Sequence, residues 1–523
     1  MTRAKVEGER RGDGAIGAPS APGGAPSAAG EGPSAAGGKP SAPGGEPSAA
    51  GGGPRAPSDA VRDLPALRER LAGAPDGGAL QPLGLGAVEL GPQALAALRE
   101  LVTGVCEADG ARPIVLLADA TPMRRAGADL KAAVADALGP VHRVEVGDSH
   151  GTTHADEPTI AGAERGAAGA ACLVSVGSGT VVDVGKAVAA RLDVPHVAVQ
   201  TAASVNGFAD DQSVLLVDGV KRTTPTAWPA HLVIDTTVLT DAPPHLAAAG
   251  LGDMLATFTA PADWYLARAV GQDPSYSDTV VALTHDHGRE LLALGGRLHE
   301  PESLERLAAL LTLSGLSMGV AGRTAPGSGM EHTVSHLIEM AAGARGEPSA
   351  LHGAKVGVCT VLAAITWRRV RRRIAAGGLA RLRFPDPAEM GERVREAFAA
   401  LDPSGAMGEE CARDYARKLE RWNQARPRLE GLATTWPEHD ERLAGLLADP
   451  ADLVATLGRA GAPLRFSTLG PPVAPDLARW ALRSCHLMRD RFTVADLAFL
   501  IGAWEDEDVE AVLAEAGELG AGL

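Results

Sequence analysis

The stretch A-C-L-V-S-V-G-S-G-T-V-V-D-V-G-K-A-V-A-A-R-L, Ala171 to Leu192, decides the fold class of this chain. An apolar strand, Cys172 to Val176, runs into a turn with two glycines, and an Ala- and Val-rich helix begins at once. Such a turn directs backbone N–H groups and the positive end of a helix dipole at an anion, and glycine lets a pyrophosphate approach the main chain. The turn matches neither G-x-G-x-x-G nor a Walker loop, so a plain tight turn remains the alternative.

Strands and helices alternate on both sides of this stretch, which is typical of an open parallel sheet. The strand Pro113 to Ala118 ends at Asp119, and the strand H-L-V-I-D closes this half of the chain near Asp235. Open α/β sheets bind ligands at the carboxyl ends of their strands. Asp119 is therefore a candidate for holding the ribose hydroxyls of NAD, with an ordinary surface acid as the alternative.

A small polar cluster, Q-T-A-A-S-V-N-G-F-A-D-D-Q, follows the strand His196 to Val199 at its carboxyl end. We expect Thr201 and Ser204 near the nicotinamide and Asn206 near the substrate.

The next segment, S-V-L-L-V-D-G-V-K-R, predicts a hairpin because Asp-Gly separates two alternating apolar runs. Lys221 and Arg222 at its end either contact an anionic substrate or the cofactor phosphates, or are solvated.

Three histidines converge in G-S-G-M-E-H-T-V-S-H and L-H-G-A-K-V-G-V, between Gly327 and Val358. His332 and His336 are four residues apart, which places both imidazoles on one face of a helix, and His352 follows in the second segment. Neutral imidazoles with one carboxylate make a compact site for zinc, nickel or iron with an open position. Asp253 is the candidate carboxylate, since a lone acid in an apolar helical run is costly to bury unpaired. The alternative role for Asp253 is that of a helix N-cap after Gly252.

Composition bounds the remaining classes of function. The 523 residues carry a formal net charge of -16, which opposes binding to nucleic acid or anionic lipid. Five cysteines without C-x-x-C spacing favour a reducing cytoplasm. No apolar run is expected to reach the roughly 20 residues that span a bilayer.

The pattern of the chain predicts three regions. Residues 1–78 form a disordered Ala/Pro/Gly/Ser-rich tail, in which only Ala60 to Leu71 is compatible with a short helix. Residues 79–241 form an α/β NAD-binding domain, and residues 242–523 form an all-helical metal-binding and catalytic domain.

The motifs occur in the order G-S-G-T-V-V-D-V-G-K, T-A-A-S-V-N-G-F-A, A-A-G-L-G-D, G-S-G-M-E-H-T-V-S-H and L-H-G-A-K-V-G-V. In this order they resemble the metal-dependent superfamily of iron-type alcohol and polyol dehydrogenases. Within it they are similar to the glycerol-1-phosphate dehydrogenase family, particularly its bacterial arabinose-operon-associated branch. The resemblance runs from about Gly84 to the C-terminal helices, including Y-A-R-K-L-E-R-W and R-D-R-F-T-V-A-D-L, and leaves the tail outside.

The resemblance implies a dehydroquinate synthase-like architecture with an α/β nucleotide-binding domain, an all-α C-terminal domain and the active site between them. It implies one divalent metal on Asp253, His332 and His352, with His336 and Asn206 as the catalytic candidates beside it. NAD(H) is the implied cofactor, with NADP(H) as the alternative. The residues implied in binding it are Asp119, Gly177, Ser178, Gly179, Thr180, Asp183, Thr201 and Ser204.

The implied reaction is hydride transfer between NAD(H) and a small polyol phosphate, dihydroxyacetone phosphate or sn-glycerol 1-phosphate, in phospholipid metabolism. The metal acts as a Lewis acid and the cofactor carries the hydride. A homo-oligomer, a dimer or larger, is also expected from the resemblance, with no nucleic acid and no membrane span.

The chain departs from the family pattern in the substrate region. Asn206 stands where the family usually has Asp, and an amide cannot act as a base. Asp210 and Asp211 stand where the family has small or hydroxyl residues, and two acids in a cleft would repel a phosphate unless they point away. A related dehydrogenase acting on another carbonyl therefore remains open, as does a dehydroquinate-synthase-like sugar phosphate cyclase.

Overall fold

The computed structural model describes residues 56–106, 111–147, 153–217, 220–380 and 382–523. Its strands are β1 (Ala87–Gly91), β2 (Ile114–Asp119), β3 (Arg124–Arg125), β4 (Ala128–Asp129), β5 (Val141–Val146), β6 (Cys172–Gly177), β7 (His196–Gln200), β8 (Gln212–Val217), β9 (Val220–Pro225) and β10 (His231–Asp235). The first helices are α1 (Pro57–Arg62), α2 (Leu64–Ala72), α3 (Leu98–Val105), α4 (Leu130–Leu138), α5 (Glu157–Gly166) and α6 (Gly179–Leu192).

Beyond β10 the described chain is helical. These helices are α7 (Thr236–Asp241), α8 (Pro244–Met254), α9 (Ala260–Ala269), α10 (Asp278–His285), α11 (Gly288–Leu294), α12 (Pro301–Ala321), α13 (Met330–Ala344), α14 (His352–Ala375), α15 (Pro387–Ala399), α16 (Ala406–Leu446), α17 (Pro450–Arg459), α18 (Pro475–Ser484), α19 (Val494–Leu500) and α20 (Asp506–Glu518). The prediction of an α/β part followed by a helical part is confirmed. The boundary between the two predicted domains, at residue 241, stays a prediction.

The main sheet has six parallel strands in the order β1-β10-β7-β6-β2-β5. The four central strands β10, β7, β6 and β2 are buried on both faces, which explains why they read as continuous apolar runs. In β2, for example, Val115 and Leu117 pack with α5 and α6, whereas Leu116 packs on the opposite face with α3 and α4. Because the strands are parallel, Asp119 and Gly177 end at the same edge of the sheet.

The predicted hairpin is present as β8 and β9, which pair antiparallel. Its two turn residues, 218 and 219, lie outside the described residues.

Two expectations need correction, one about the length of the N-terminal tail and one about the length of apolar segments. Residues 1–55 lie outside the described part, but the tail does not extend to residue 78, because α1 and α2 bury Val61, Leu64 and Leu67 against the core. The apolar lengths were also underestimated: among the described residues, α12 has 21 residues and a mean hydropathy of 1.3, enough to cross a membrane by length and composition. However, 83% of its apolar window is buried inside the protein, as expected of a core helix.

Helices α8 and α14 pack closely because glycines lie at their contact. A methyl group on Gly252 would overlap the carbonyl oxygen of Gly353, and one on Gly353 would overlap that of Ala249. The absence of these methyl groups brings Asp253, near the end of α8, to the start of α14, where His352 is the first residue.

Gly353→Ala is expected to lower the free energy of unfolding by about 1–3 kcal/mol, the usual cost of overpacking. The new methyl would meet a backbone oxygen that cannot move alone, and it would lie 3.0 Å from Cβ of Asp253. Gly343→Ala is the control, since nothing lies within 4 Å of its added methyl, and we expect it to be neutral or stabilising by up to about 1 kcal/mol. Equal urea midpoints for the two variants would contradict the close contact of α8 with α14.

Candidate active site

Asp253, His332 and His352 come together from three helices, α8, α13 and α14. Nε2 of His332 lies 3.3 Å from Oδ1 of Asp253, and Nε2 of His352 lies 3.7 Å from the same oxygen. One candidate ligand atom from each residue lies within 4.8 Å of the others, and the three side chains are buried or nearly so. The structure therefore brings together the three residues predicted to hold the metal.

Two further carboxylates fix the orientation of the imidazoles. Nδ1 of His332 lies 3.0 Å from Oε1 of Glu331, and Nδ1 of His352 lies 2.9 Å from Oε1 of Glu339. A carboxylate accepts a hydrogen bond, so each Nδ1 carries the proton and each Nε2 lone pair faces Asp253. This is the outer arrangement expected around metal-binding histidines.

The donor set fits a divalent cation. Oδ1 of Asp253 is buried and has no hydrogen-bond partner, although two imidazole nitrogens face it. Burial opposes the charged form of His332, but the neighbouring carboxylates of Asp253 and Glu331 favour it and raise the pKa of His332 to about 9, which shows that the surroundings of this ring are strongly negative. Surplus negative charge around an unpartnered buried oxygen is the environment that a cation would satisfy.

A second grouping, His336, Glu339 and His352, shares one histidine with the first. It fits a cation less well because Glu339 is already engaged. Its carboxylate lies 2.6 Å from Nζ of Lys221 and 3.1 Å from Nζ of Lys355, besides accepting from His352. Glu339 is thus better suited to orienting His352 than to binding metal.

A cavity of about 210 Å³ opens beside the metal group. We call it the central cavity; its lining includes Gly179, Thr180, Asp183, Asn206, Lys221, Thr324, Ser328, His332, His336 and His352. It therefore joins the N-terminus of α6 to the histidine cluster.

The other predicted cofactor residues lie near the sheet edge but not in the lining of the central cavity. Gly177 and Ser178 form the turn before α6, and the backbone N–H of Thr201 donates to the carbonyl of Gly177 at 3.2 Å. Ser204 is buried in the loop after β7. Asp119 ends β2, where its carboxylate accepts from the N–H and the hydroxyl of Thr121 at 3.1 and 3.0 Å.

Asn206 links the metal group to α12. Its backbone N–H donates to Oδ2 of Asp253 at 3.0 Å, and its side-chain Nδ2 donates to Oγ of Ser314 at 3.1 Å. One N–H of the amide is used in this way, so the side-chain oxygen and the second N–H of Asn206 are available to a ligand.

His336 is held as a hydrogen-bond donor. Nη2 of Arg489 lies 2.9 Å from Nδ1 of His336, and a guanidinium can only donate, so Nδ1 accepts and Nε2 carries the proton. Burial and the charge of Arg489 keep the pKa of His336 well below its ordinary value. His336 is therefore neutral, and its ring stacks on His352 with centroids 5.3 Å apart.

Asp210 and Asp211, the two acids expected to repel a phosphate, do not present two free negative charges to the central cavity. Asp210 is buried and lies 2.6 Å from the fully buried ammonium of Lys186, which also donates to the carbonyl of Gly207 at 2.9 Å. The charge of Asp210 is therefore matched within the protein. Burial, then the charge of Asp210, raises the pKa of Asp211, which is not among the residues that line the central cavity.

Lys221 and Arg222 lie within β9, the second strand of the hairpin, and have different surroundings. Lys221 lines the central cavity, whereas Arg222 forms ion pairs with Glu410 and Asp414 on α16.

Sequence reasoning missed Glu331, Glu339 and Arg489. The two glutamates carry the same signal that identified Asp253, an acid within an apolar helix, and this signal could have found them. Arg489 lies in R-D-R-F-T-V-A-D-L, 153 residues beyond His336, and nothing local predicts their contact.

A parallel α/β sheet followed by helices, with an Asp-His-His group beside a cavity, can be compared with proteins of known family. The family model for iron-containing alcohol dehydrogenases matches residues 90–243. A probable glycerol dehydrogenase from Sinorhizobium meliloti has the same fold, with a TM-score of 0.52 at 15% identity over 83% of this chain and 98% of that one. The architecture is thus that of the iron-type alcohol dehydrogenases.

Three relatives are each named glycerol-1-phosphate dehydrogenase [NAD(P)+]. That of Bacillus subtilis is 31% identical over 310 residues, 55% of this chain and 73% of the relative. That of Bacillus velezensis is 30% identical over 327 residues, which are 61% of this chain and 68% of the relative. That of Methanothrix thermoacetophila is 33% identical over 213 residues, 39% and 58%, so the match spans little more than half of that protein. The chain belongs to the glycerol-1-phosphate dehydrogenase family.

Proposed function

We propose that this chain is an NAD(P)-dependent, metal-dependent dehydrogenase that interconverts dihydroxyacetone phosphate and sn-glycerol 1-phosphate. The observation that carries the proposal is a cavity with the cation-binding group of Asp253, His332 and His352 at one end and the N-terminus of α6 at the other. The names of the relatives in the family support both the substrate and the cofactor.

In this proposal Asp253, His332 and His352 hold the cation, and Glu331 and Glu339 keep the imidazoles in the binding tautomer. A bound divalent cation supplies Lewis-acid polarisation of a carbonyl, and a bound nicotinamide supplies or accepts the hydride. The residues of the chain orient the substrate and manage its protons.

Two polar groups in the central cavity suit a polyol. The side-chain oxygen of Asn206 can accept from a substrate hydroxyl, and Nε2–H of His336 can donate a hydrogen bond to a substrate oxygen. Because Arg489 occupies Nδ1 of His336, the group of this ring that faces a ligand is the Nε2–H donor. The buried walls of the cavity exclude water from the reacting carbon.

The cofactor is proposed to lie across the sheet edge with its pyrophosphate at the turn Gly177 to Thr180, where α6 begins. Asp183, Thr201 and Ser204 would contact it on the substrate side. Asp119, at the end of the neighbouring strand β2, would contact the adenosine ribose.

The proposal is tested by mixing purified protein with NADH, dihydroxyacetone phosphate and zinc, nickel or iron in turn. We expect NADH to be oxidised with at least one metal, the rate to vanish after chelation, and the product to resist oxidation by an enzyme specific for sn-glycerol 3-phosphate. No NADH oxidation with any of the metals would overturn the proposal. A sugar phosphate cyclase would instead turn over its substrate without net change in NADH.

A dehydrogenase of another carbonyl is the second candidate, and Asn206 is the observation that favours it. Because Asp210 is neutralised by Lys186, only the amide now motivates a different substrate. If Asn206→Asp gains activity on dihydroxyacetone phosphate from a weak starting level, this second candidate is preferred.

We also propose a cytoplasmic location, which the five buried free cysteines support. A homo-oligomer stays a prediction from the family resemblance.

A further inference from the structure

Two arginines contact residues in the wall of the central cavity, and the second of them lines a neighbouring cavity of about 190 Å³ that shares Ser328 with it. Arg489 and Arg491 occupy the segment just before α19. Nη2 of Arg489 contacts Nδ1 of His336 at 2.9 Å, and Nη2 of Arg491 contacts Oγ1 of Thr324 at 2.6 Å. Arg491 also donates to the carbonyl of Ser328. His336, Thr324 and Ser328 all line the cavity.

Neither guanidinium forms a close ion pair, and burial outweighs the more distant carboxylates, so that the pKa of each arginine is lowered. In the described part of the chain, no carboxylate lies within the 4.0 Å of an ion pair for either arginine, although Asp490 between them pairs with Arg421 at 3.2 Å. Other buried cations of this protein, such as Lys418 with Asp496, are paired. An uncompensated cation beside a cavity calls for an anion in that cavity.

Neighbouring positive charges make the surroundings of Arg489 still less favourable for its own positive charge. Burial, then the charges of Arg491 and Arg222, lowers the pKa of Arg489 to about 9, although Asp414 and Asp490 oppose the shift. Lys221 reaches the same cavity, and its backbone carbonyl lies 3.5 Å from Nη2 of Arg489.

The backbone conformation of Arg489 and its unused N–H groups also indicate an anion-binding role. Arg489 has a φ of 62°, a left-handed conformation that side chains with a Cβ rarely adopt and that tends to mark functional sites. Among the described residues, no acceptor pairs with Nε or Nη1 of Arg489, whose contacts are all made by Nη2. Unused N–H groups on a planar fork suit the oxygens of a phosphate.

We propose that Arg489 and Arg491 recognise the phosphate group of the substrate, so that the enzyme selects a phosphorylated polyol over a free one. The proposal rests on the proposed function for the reaction itself. Arg491 acts from the Thr324 and Ser328 side of the cavity, and Arg489 from the His336 side, where it also fixes the imidazole tautomer. The phosphate is a monoester dianion, and the pyrophosphate of the cofactor is the alternative source of the same chemistry.

The test compares Arg491→Met, Arg489→Lys and wild type on dihydroxyacetone phosphate and on unphosphorylated dihydroxyacetone. Arg491→Met is expected to lower kcat/KM for the phosphate ester roughly 10- to 100-fold, the value of a charged hydrogen bond, mainly through KM. Activity on dihydroxyacetone should change less than about threefold. Arg489→Lys keeps the charge without the fork and should give a smaller loss of the same selectivity. The matched control is Arg483→Met. Arg483 lies on α18 and forms an exposed ion pair with Asp506, the first residue of α20.

Several outcomes would overturn the proposal. A parallel loss on both substrates would assign the arginines to the positioning of His336. An equal rise in the Kd of NADH, measured by fluorescence titration, would assign them to the cofactor pyrophosphate. No loss on either substrate would remove them from recognition altogether.

A second measurement separates this proposal from the proposed function. With NADH bound, inorganic phosphate should raise the Tm of wild type and of Arg483→Met but not of Arg491→Met. If wild type does not reduce dihydroxyacetone phosphate, the proposed function fails, and this Tm comparison decides the phosphate site alone. Equal shifts in all three proteins would overturn the phosphate site.

Discussion

Replacing Asp253 by asparagine is expected to abolish turnover and to remove the divalent cation while leaving the fold intact. The amide keeps the size of the side chain and can still accept the backbone N–H of Asn206, which Oδ2 accepts at 3.0 Å in wild type. It removes the negative charge at Oδ1, the buried oxygen that has no hydrogen-bond partner and faces His332 and His352. Metal content by elemental analysis, activity with NADH and thermal unfolding after chelation would measure the three parts of this expectation.

The size of the effect separates a ligand from an orienting residue. Changing an outer carboxylate typically costs about 10- to 100-fold in metal affinity or activity, so Glu331→Gln and Glu339→Gln should fall in that range. Asp253→Asn should exceed it. Asp452→Asn, at an exposed site on α17, is the control and should retain full metal and activity. Full metal content with normal activity in Asp253→Asn would show that the cation binds elsewhere, with the grouping of His336, Glu339 and His352 as the next candidate.

The sequence predicted the parts of this protein that are local in the chain. A strand, a glycine turn and a helix between Ala171 and Leu192 predict the centre of a parallel sheet, because this pattern is set by neighbouring residues. The spacing of His332 and His336 and the lone acid Asp253 predict a cluster, since buried polar groups need partners. The structure brings these side chains together, and the metal itself stays a prediction.

What the sequence could not predict depends on pairing between distant segments. The repulsion expected from Asp210 is absent because Lys186, on another element, faces it. A sequence shows two acids in a row but not the cation that neutralises one of them. The contact of Arg489 with His336 likewise joins segments whose approach depends on the packing of several helices.

The boundaries of the tail and of the core were mispredicted for a related reason. The segment containing Leu64 and Leu67 looks like part of a polar, low-complexity tail until the surface that covers it is known. The helix α12 looks long and apolar enough for a membrane until its neighbours are known to bury it. In both cases burial is decided by the partner surface rather than by composition alone.

Replacing Lys186 by methionine is expected to lower the free energy of unfolding by about 3–5 kcal/mol, the typical cost of removing one partner from a buried ion pair. The ammonium is fully buried, lies 2.6 Å from Asp210 and 3.5 Å from Asp183, and donates to the carbonyls of Gly207 and Gln212. Methionine fills the same space but leaves these groups without their cation. The largest part of the cost should therefore come from uncompensated negative charge rather than from lost packing.

A second substitution and a change of pH separate charge from packing. Asp210→Asn in the Lys186→Met background should recover part of the loss, because it removes one of the unpaired carboxylates. Burial raises the pKa of Asp183 to about 6 although Lys186 opposes the rise, so this pKa should increase further in the variant. A carboxyl whose pKa is higher in the folded than in the unfolded state loses stability as pH rises through the folded pKa. The deficit of Lys186→Met, measured by urea unfolding, should thus be smaller at about pH 5 than at about pH 8. A deficit that responds neither to Asp210→Asn nor to pH would mean that Lys186 acts through packing.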